Sequence, residues 1–356
     1  MIKKIKRAMT SFRKRCAKTI FDKRSKSGKK LDMNNAGSIL FFRHDNKIGD
    51  MAVLTLVFRE LKKRYPKIKI YVLCGKDNKE IIKNNPNVDE IVEISGKLFA
   101  DLQVYKVLRQ KKIDIAVDFF IFKPRPKHLF MIRRINPEFL IGFHKRDYNM
   151  YDLSIDCDVN ELHISQRYKI LLKELGIEAS SLNYDVFLNS ADEENAKSLF
   201  GGIENKLIIN PFAASRHRTF TFEKLQDLIN KLTKDFSVFI VCSKKSPYSL
   251  KAIEGARVIE TSSILESAAY VKYCDYVISP DTSIVHIAAA FKKKMIALFL
   301  DYSNEEEKIN KVWAPGYEDA VKICVDAKNG KVENDIKNID NELIANAVKN
   351  LLPKGN

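Results

Sequence analysis

The chain has 356 residues, enough for two hydrophobic cores rather than one. Its 45% hydrophobic content is that of an ordinary globular protein, and no run approaches the roughly 18 apolar residues that a bilayer-spanning helix needs. The net charge is +17, but residues 1–30 hold 13 Lys or Arg against one acid, Asp22. A basic tail on a nearly balanced body argues against a nucleic-acid binder.

The basic N-terminus has no long apolar stretch behind it, so no secretory signal is expected and a cytoplasmic location is. The six cysteines are Cys16, Cys74, Cys157, Cys242, Cys274 and Cys324. None forms a CxxC pair, and several lie in apolar strand-like runs, so they read as reduced, buried thiols.

Residues 1–37 form an extension. Ile2, Ile5, Met9, Phe12, Cys16, Ile20 and Phe21 recur every three to four residues among basic side chains. That pattern reads as an amphipathic basic helix able to lie on an anionic membrane face, or as a solvated, disordered tail. From Ser38 short apolar runs alternate with helical stretches. Strands are expected at Ser38–Arg43, Lys69–Cys74, Asp89–Ile94 and Ile113–Phe120. Helices are expected near 50–65, 78–84, 98–109 and 164–175, the last ending at Gly176. Residues 121–200 are otherwise less regular.

A second series begins at Lys206–Asn210. It continues with a helix over 222–234, strands at Ser237–Cys242 and Arg257–Glu260, and a helix over 264–272. A strand at Tyr276–Ser279, a helix at Ser283–Ala290, a strand at Met295–Leu300 and a closing helix over 341–352 complete it. Near-continuous Ile, Val and Leu strands between helices predict parallel sheets covered on both faces. The expected fold is α/β, two Rossmann-like domains over 38–190 and 191–356, facing across a cleft. Ligands in such sheets bind at the carboxyl ends of the strands.

Three loop segments suit chemistry. Arg43-His44-Asp45-Asn46-Lys47-Ile48-Gly49-Asp50 leaves the first strand. Gly49 allows close approach. Asp50 reads locally as a helix cap. Asn210 to Phe220 leaves the first strand of the second series; its small residues with Ser215, Arg216 and Arg218 suit a phosphate-bearing ligand. Its alternative is a plain exposed basic loop. Ser279 to Ala290 offers Asp281, Thr282 and Ser283 at a helix start, with His286 one turn in. A lone histidine there is more often a packing residue than a catalyst. No GxGxxG follows the first strand and there is no GxxxxGK[ST], which speaks against a dinucleotide or P-loop site.

These segments, taken in order, resemble glycosyltransferase family 9, the bacterial heptosyltransferases of lipopolysaccharide core assembly. The resemblance rests on Arg43 through Gly49-Asp50, the helix ending Leu61-Lys62-Lys63-Arg64-Tyr65-Pro66, Asn85-Pro86-Asn87-Val88-Asp89-Glu90-Ile91, and Asp281-Thr282-Ser283 with His286-Ile287-Ala288-Ala289-Ala290. It spans roughly residues 38–300. It implies the fold type called GT-B and an inverting, metal-independent transferase with no cofactor beyond its nucleotide-sugar substrate. ADP-heptose is the implied donor and the anionic inner core of lipopolysaccharide or lipooligosaccharide the implied acceptor.

By the same resemblance Asp50 is the catalytic base. Asp281 contacts donor sugar hydroxyls, the N–H groups of Thr282 and Ser283 hold the diphosphate, and Ser215, Arg218 and His286 complete the donor site. Arg43, Lys47 and Gly49 form the loop facing acceptor or phosphate. Such an enzyme would work at the cytoplasmic face of the inner membrane, touching it through residues 1–30. Two positions depart from the family pattern: Arg218 stands where a lysine is usual, and Ser283 where glycine is common. Other nucleotide sugars, other glycan or protein acceptors, and a non-catalytic binder on the same fold remain as alternatives at this point.

Overall fold

The computed structural model describes residues 2–23, 30–243, 250–301, 308–326 and 333–353. The part of the basic tail over 24–29 lies outside the described residues.

The chain opens with helix α1 (Ile2–Phe21) and then builds the first sheet. Strand β1 (Ser38–Arg43) leads to helix α2 (Ile48–Arg64), β2 (Lys69–Cys74), β3 (Glu90–Glu93) and α3 (Leu102–Gln110). Then come β4 (Ile115–Asp118), α4 (Pro126–Ile135), β5 (Phe139–Phe143), β6 (Leu153–Ile155) and α5 (Ile164–Glu174). The strands lie in the order β3-β2-β1-β4-β5-β6, all parallel. Every residue of β1 and β4 is buried, as a sheet covered on both faces demands.

The second half repeats the plan. Helix α6 (Ser190–Phe200) precedes β7 (Lys206–Ile209), α7 (Phe222–Leu232), β8 (Ser237–Ser243), β9 (Ala256–Thr261) and α8 (Ile264–Tyr273). Next are β10 (Tyr276–Pro280), α9 (Ser283–Ala290), β11 (Lys294–Phe299), α10 (Ile309–Val312), β12 (Ala320–Cys324) and α11 (Asn341–Lys349). The order β12-β11-β10-β7-β8-β9 is again wholly parallel. Each sheet therefore reverses direction once, between β1 and β4 and between β7 and β10. That reversal opens a crevice where ligands bind. Five helix starts of this half carry side-chain caps, with Asn189, Thr221, Ser263, Thr282 and Asp340 each accepting a backbone N–H of the first turn.

Several expectations need correction. The helix expected near 78–84 is a single 3-10 turn, Glu80–Ile82. The irregular stretch 121–200 holds α4, β5, β6, α5 and α6. Helix α2 starts at Ile48, not Asp50, and its N-cap position is Lys47 with no side-chain bond. Asp50 is thus a first-turn residue, where a carboxylate still complements the helix dipole, but it is not the cap.

Helix α1 is docked on the first domain. Ala17 is buried, and Phe21 meets Phe130 of α4 edge-on with ring centres 5.5 Å apart. Asp22 accepts the Met150 N–H at 2.8 Å, and the Lys18 ammonium sits 4.8 Å over the Tyr148 ring. Met9, Phe12 and Ile20 remain exposed.

The segment joining the two halves lies on α2. Arg59 donates to the carbonyls of Ser181 at 3.0 Å and Asn183 at 2.9 Å and pairs with Asp185 at 2.6 Å. The Glu60 carboxylate accepts the Ser180 N–H at 2.9 Å, and the Thr55 hydroxyl accepts the Asp185 N–H at 2.8 Å. All six cysteines are free thiols. Burial pushes Cys74 and Cys274 up to about 12, so neither is a thiolate nucleophile at neutral pH.

Candidate active site

The loop leaving β1 faces the loops leaving β7 and β10 across one cleft of about 1320 Å³. Its walls include Lys47, Gly49 and Asp50 from the first half, and Ser215, Arg218, Asp281, Thr282, Ser283 and His286 from the second. All the residues singled out in the sequence therefore converge, except Arg43. That residue stands behind Asp50 and lines a smaller adjoining pocket with Asp45, Phe119–Phe122, Arg167 and Tyr168. Asp50, Lys47 and Trp313 border both spaces.

Arg43 ends β1 and is buried, and its Nη2 forms an ion pair with Asp50 Oδ2 and a longer one, 3.5 Å, with Asp45. A guanidinium held by the sheet thus fixes the direction of the Asp50 side chain. An oriented carboxylate at the join of two pockets is suited to take a proton from a hydroxyl entering by the smaller one.

Gly49 serves a packing purpose. Its Cα faces the His286 ring so closely that a methyl group there would lie 2.5 Å from Cδ2 and 3.2 Å from Nε2. Helices α2 and α9 meet at this point, so the two halves touch through a glycine and an imidazole. His286 is buried against Trp313 and Tyr184, with ring centres 5.8 and 6.4 Å away. Burial, with a smaller contribution from His163, pulls it down to about 3. It is neutral at physiological pH and is an interface residue, in line with the packing alternative.

In the second half Thr282 caps α9, its hydroxyl accepting the Ile284 N–H at 3.2 Å and the Asn210 amide at 3.0 Å. This directs the first N–H groups of α9 into the cleft, a ready anion site. Asp281 is buried beside it. Burial raises its carboxyl above the usual range, and Arg218 and Lys47 oppose that rise. Within the cleft wall Arg218 is held by its neighbour: its Nη1 donates to the Asp281 carboxylate and to the Asp281 carbonyl, both at 2.7 Å. Its planar fork carries five donors, so the pair orients it along the cleft wall.

The loop that carries Arg218 is tied at both ends. The Thr219 hydroxyl accepts the Ala213 N–H at 3.2 Å, and His217 Nδ1 lies 3.1 Å from Asp335. His217, Asp335 and Glu333 are the one group among the described residues with metal-like spacing. Glu333 is exposed and pairs with Lys337.

Sequence reasoning missed Trp313, the single tryptophan of the chain, which borders both pockets. It also missed Asn210, which ties Thr282 to Ser279, and the aromatic loop Phe119–Phe122. The rarity of tryptophan was a usable signal. The other two depend on contacts distant in sequence.

Comparisons with known proteins agree with this geometry. A family model described as glycosyltransferase family 9 (heptosyltransferase) matches residues 128–339, more than half the chain. The Escherichia coli K12 protein named "Putative lipopolysaccharide heptosyltransferase 4" is 30% identical over 322 residues, covering 88% of this chain and 87% of its own. Lipopolysaccharide heptosyltransferase 3 of the same strain is 23% identical, covering 76% of this chain and 86% of its own. Among solved structures, a family 9 glycosyltransferase of Veillonella parvula superposes with a TM-score of 0.72 at 16% identity, over 90% of this chain and 98% of its own. The E. coli ADP-heptose lipopolysaccharide heptosyltransferase II gives 0.68 at 16% identity, over 88% and 98%. The architecture is the GT-B one, and the chain belongs to glycosyltransferase family 9, the heptosyltransferases.

Proposed function

We propose that this glycosyltransferase moves a heptose from ADP-heptose to the inner core of lipopolysaccharide or lipooligosaccharide, with inversion and without a metal. One observation carries the reading: the Lys47–Asp50 loop and the Arg218 and Asp281–Ser283 loops line one cleft. The diphosphate lies against the start of α9, where backbone N–H groups, Arg218 and Lys47 supply positive charge for the departing ADP. Asp281 meets donor sugar hydroxyls. The acceptor enters by the pocket of Arg43, Arg167 and Tyr168, whose cationic side chains suit an anionic core.

The acceptor oxygen attacks the anomeric carbon, its proton passes to Asp50, and the bond from that carbon to the diphosphate oxygen breaks. ADP leaves with that electron pair. In-line inversion then requires the base on the acceptor side, opposite the leaving group.

The acceptor is lipid-linked, which places the work at the inner face of the cytoplasmic membrane. Among the described residues no helix is long and apolar enough to cross a membrane. The exposed Met9, Phe12 and Ile20 of α1, interleaved with Arg13, Lys14 and Arg15, suit a surface contact instead. The purified enzyme with ADP-heptose and a truncated core acceptor should release ADP. No ADP release with that donor, and release with another nucleotide sugar, overturns the donor assignment.

A further inference from the structure

Two loops of the first half expose aromatic side chains, and one of them, 119–122, lines the smaller pocket. Phe99, in the loop between β3 and α3, is 84% exposed, and Phe122, between β4 and α4, is 69% exposed. Water contact of this extent on two large apolar groups is unfavourable by the apolar area left uncovered. The first of these loops reaches the start of α4, which the second leads into: a methyl group on Gly96 would lie 4.0 Å from the Nζ of Lys127. Lys97, Lys123, Arg125 and Lys127 lie in these loops and at the start of α4, and the acids that flank them, Asp101 and Asp118, are buried.

The exposure of Phe122 is built into the structure rather than left to a slack loop. Lys145 is completely buried. Its Nζ donates to the carbonyls of Phe120, Phe122 at 3.1 Å and Phe143 at 2.8 Å. Burying an ammonium is costly, and here three carbonyls and the nearby Asp118 charge compensate it. Asp118 is itself held by His128 at 2.9 Å and by the Tyr151 hydroxyl at 2.5 Å. Pro124 is buried and Pro126 opens α4, which stiffens the remaining turn. The protein thus clamps the backbone on either side of Phe122 while leaving its ring outside.

We infer that Phe99 and Phe122, with Lys97, Lys123, Arg125 and Lys127, form a lipid-contact rim that seats the mouth of the acceptor pocket on an anionic bilayer surface. The aromatic tips insert at the headgroup boundary and the surrounding cations hold anionic headgroups. The occupant is argued from charge: an all-cationic collar around apolar tips fits an anionic lipid surface better than an uncharged protein face. The inference rests on the reading of a membrane-borne acceptor. It adds to the α1 contact a second point at the pocket itself, and two points fix an orientation where one leaves rotation free.

The test is sedimentation of the full chain with phosphatidylcholine vesicles, with and without phosphatidylglycerol. Phe99→Ser/Phe122→Ser should lower binding to the anionic vesicles roughly tenfold, with an unchanged unfolding midpoint because both side chains are exposed. Lys145→Met, which frees the loop while keeping both rings, should lower binding in the same direction. Intact binding by the well-folded double-serine variant overturns the inference, as does binding that depends only on Phe12 and Ile20. A self-associated chain that the double-serine variant turns into monomers, without loss of vesicle binding, assigns the rim to a second copy and also overturns it. Vesicle binding needs no sugar, so failure of ADP release and failure of this rim are read separately.

Discussion

Replacing Gly49 by alanine tests the contact between the two halves directly. The added methyl group would lie 2.5 Å from His286 Cδ2, closer than carbon atoms pack. The ring cannot retreat freely, because Trp313 and Tyr184 hold it. Either the imidazole leaves its position or α2 and α9 separate, and such overpacking costs roughly 1–3 kcal/mol. For domains of this size each kcal/mol moves the midpoint by about 2–4 °C. Differential scanning calorimetry of Gly49→Ala should therefore show a clear fall, and kcat/KM should fall with it because Asp50 is the next residue. His286→Ala removes the obstacle and will be destabilising alone through the cavity it leaves. Combined with Gly49→Ala it should be less harmful than the sum, with a coupling of about 1 kcal/mol or more. Strict additivity, or a Gly49→Ala protein as stable and active as the parent, would refute the account of Gly49 as the point where the halves touch.

Asp50→Asn should keep donor affinity, measured by calorimetric titration, and lose turnover by roughly 100-fold; unchanged turnover returns Asp50 to a helix-dipole role. Arg218→Ala leaves the buried Asp281 without its partner and should destabilise by about 2–3 kcal/mol. Adding Asp281→Asn should restore the denaturation midpoint but not donor affinity. His44 is pulled down to about 4 and His286 to about 3, both chiefly by burial. Their depressed native values mean the unfolded chain binds more protons below about pH 6.5, so stability falls as pH drops through that value. Urea midpoints measured from pH 7 to 5, above the ordinary carboxylate range, should decline, and His44→Gln should flatten the slope; a midpoint independent of pH, or a slope that His44→Gln leaves intact, contradicts it.

The strands of both sheets were legible wherever four or more apolar residues run together, as in Ser38–Arg43 or Ser237–Cys242. Strand β6 has three residues and β12 is half exposed, so neither gives a run to detect. Helix α4 hides behind Pro124 and Pro126, which read as loop until Pro126 is seen to occupy the first turn of a helix. The candidate site divides in the same way. Its loops were legible because each follows a detectable strand. The Arg218–Asp281 pair joins residues 63 apart, and the Gly49–His286 contact crosses between domains. Spacing in the chain contains neither.

Helix α2 carries Asp50 in its first turn and, through Thr55, Arg59 and Glu60, the segment that leads to the second half. The two functions are only a few turns apart on one rigid rod. Anything that shifts 180–185 therefore bears on the same rod that aims the Asp50 carboxylate, so the joining segment and the cleft are mechanically one part of the molecule.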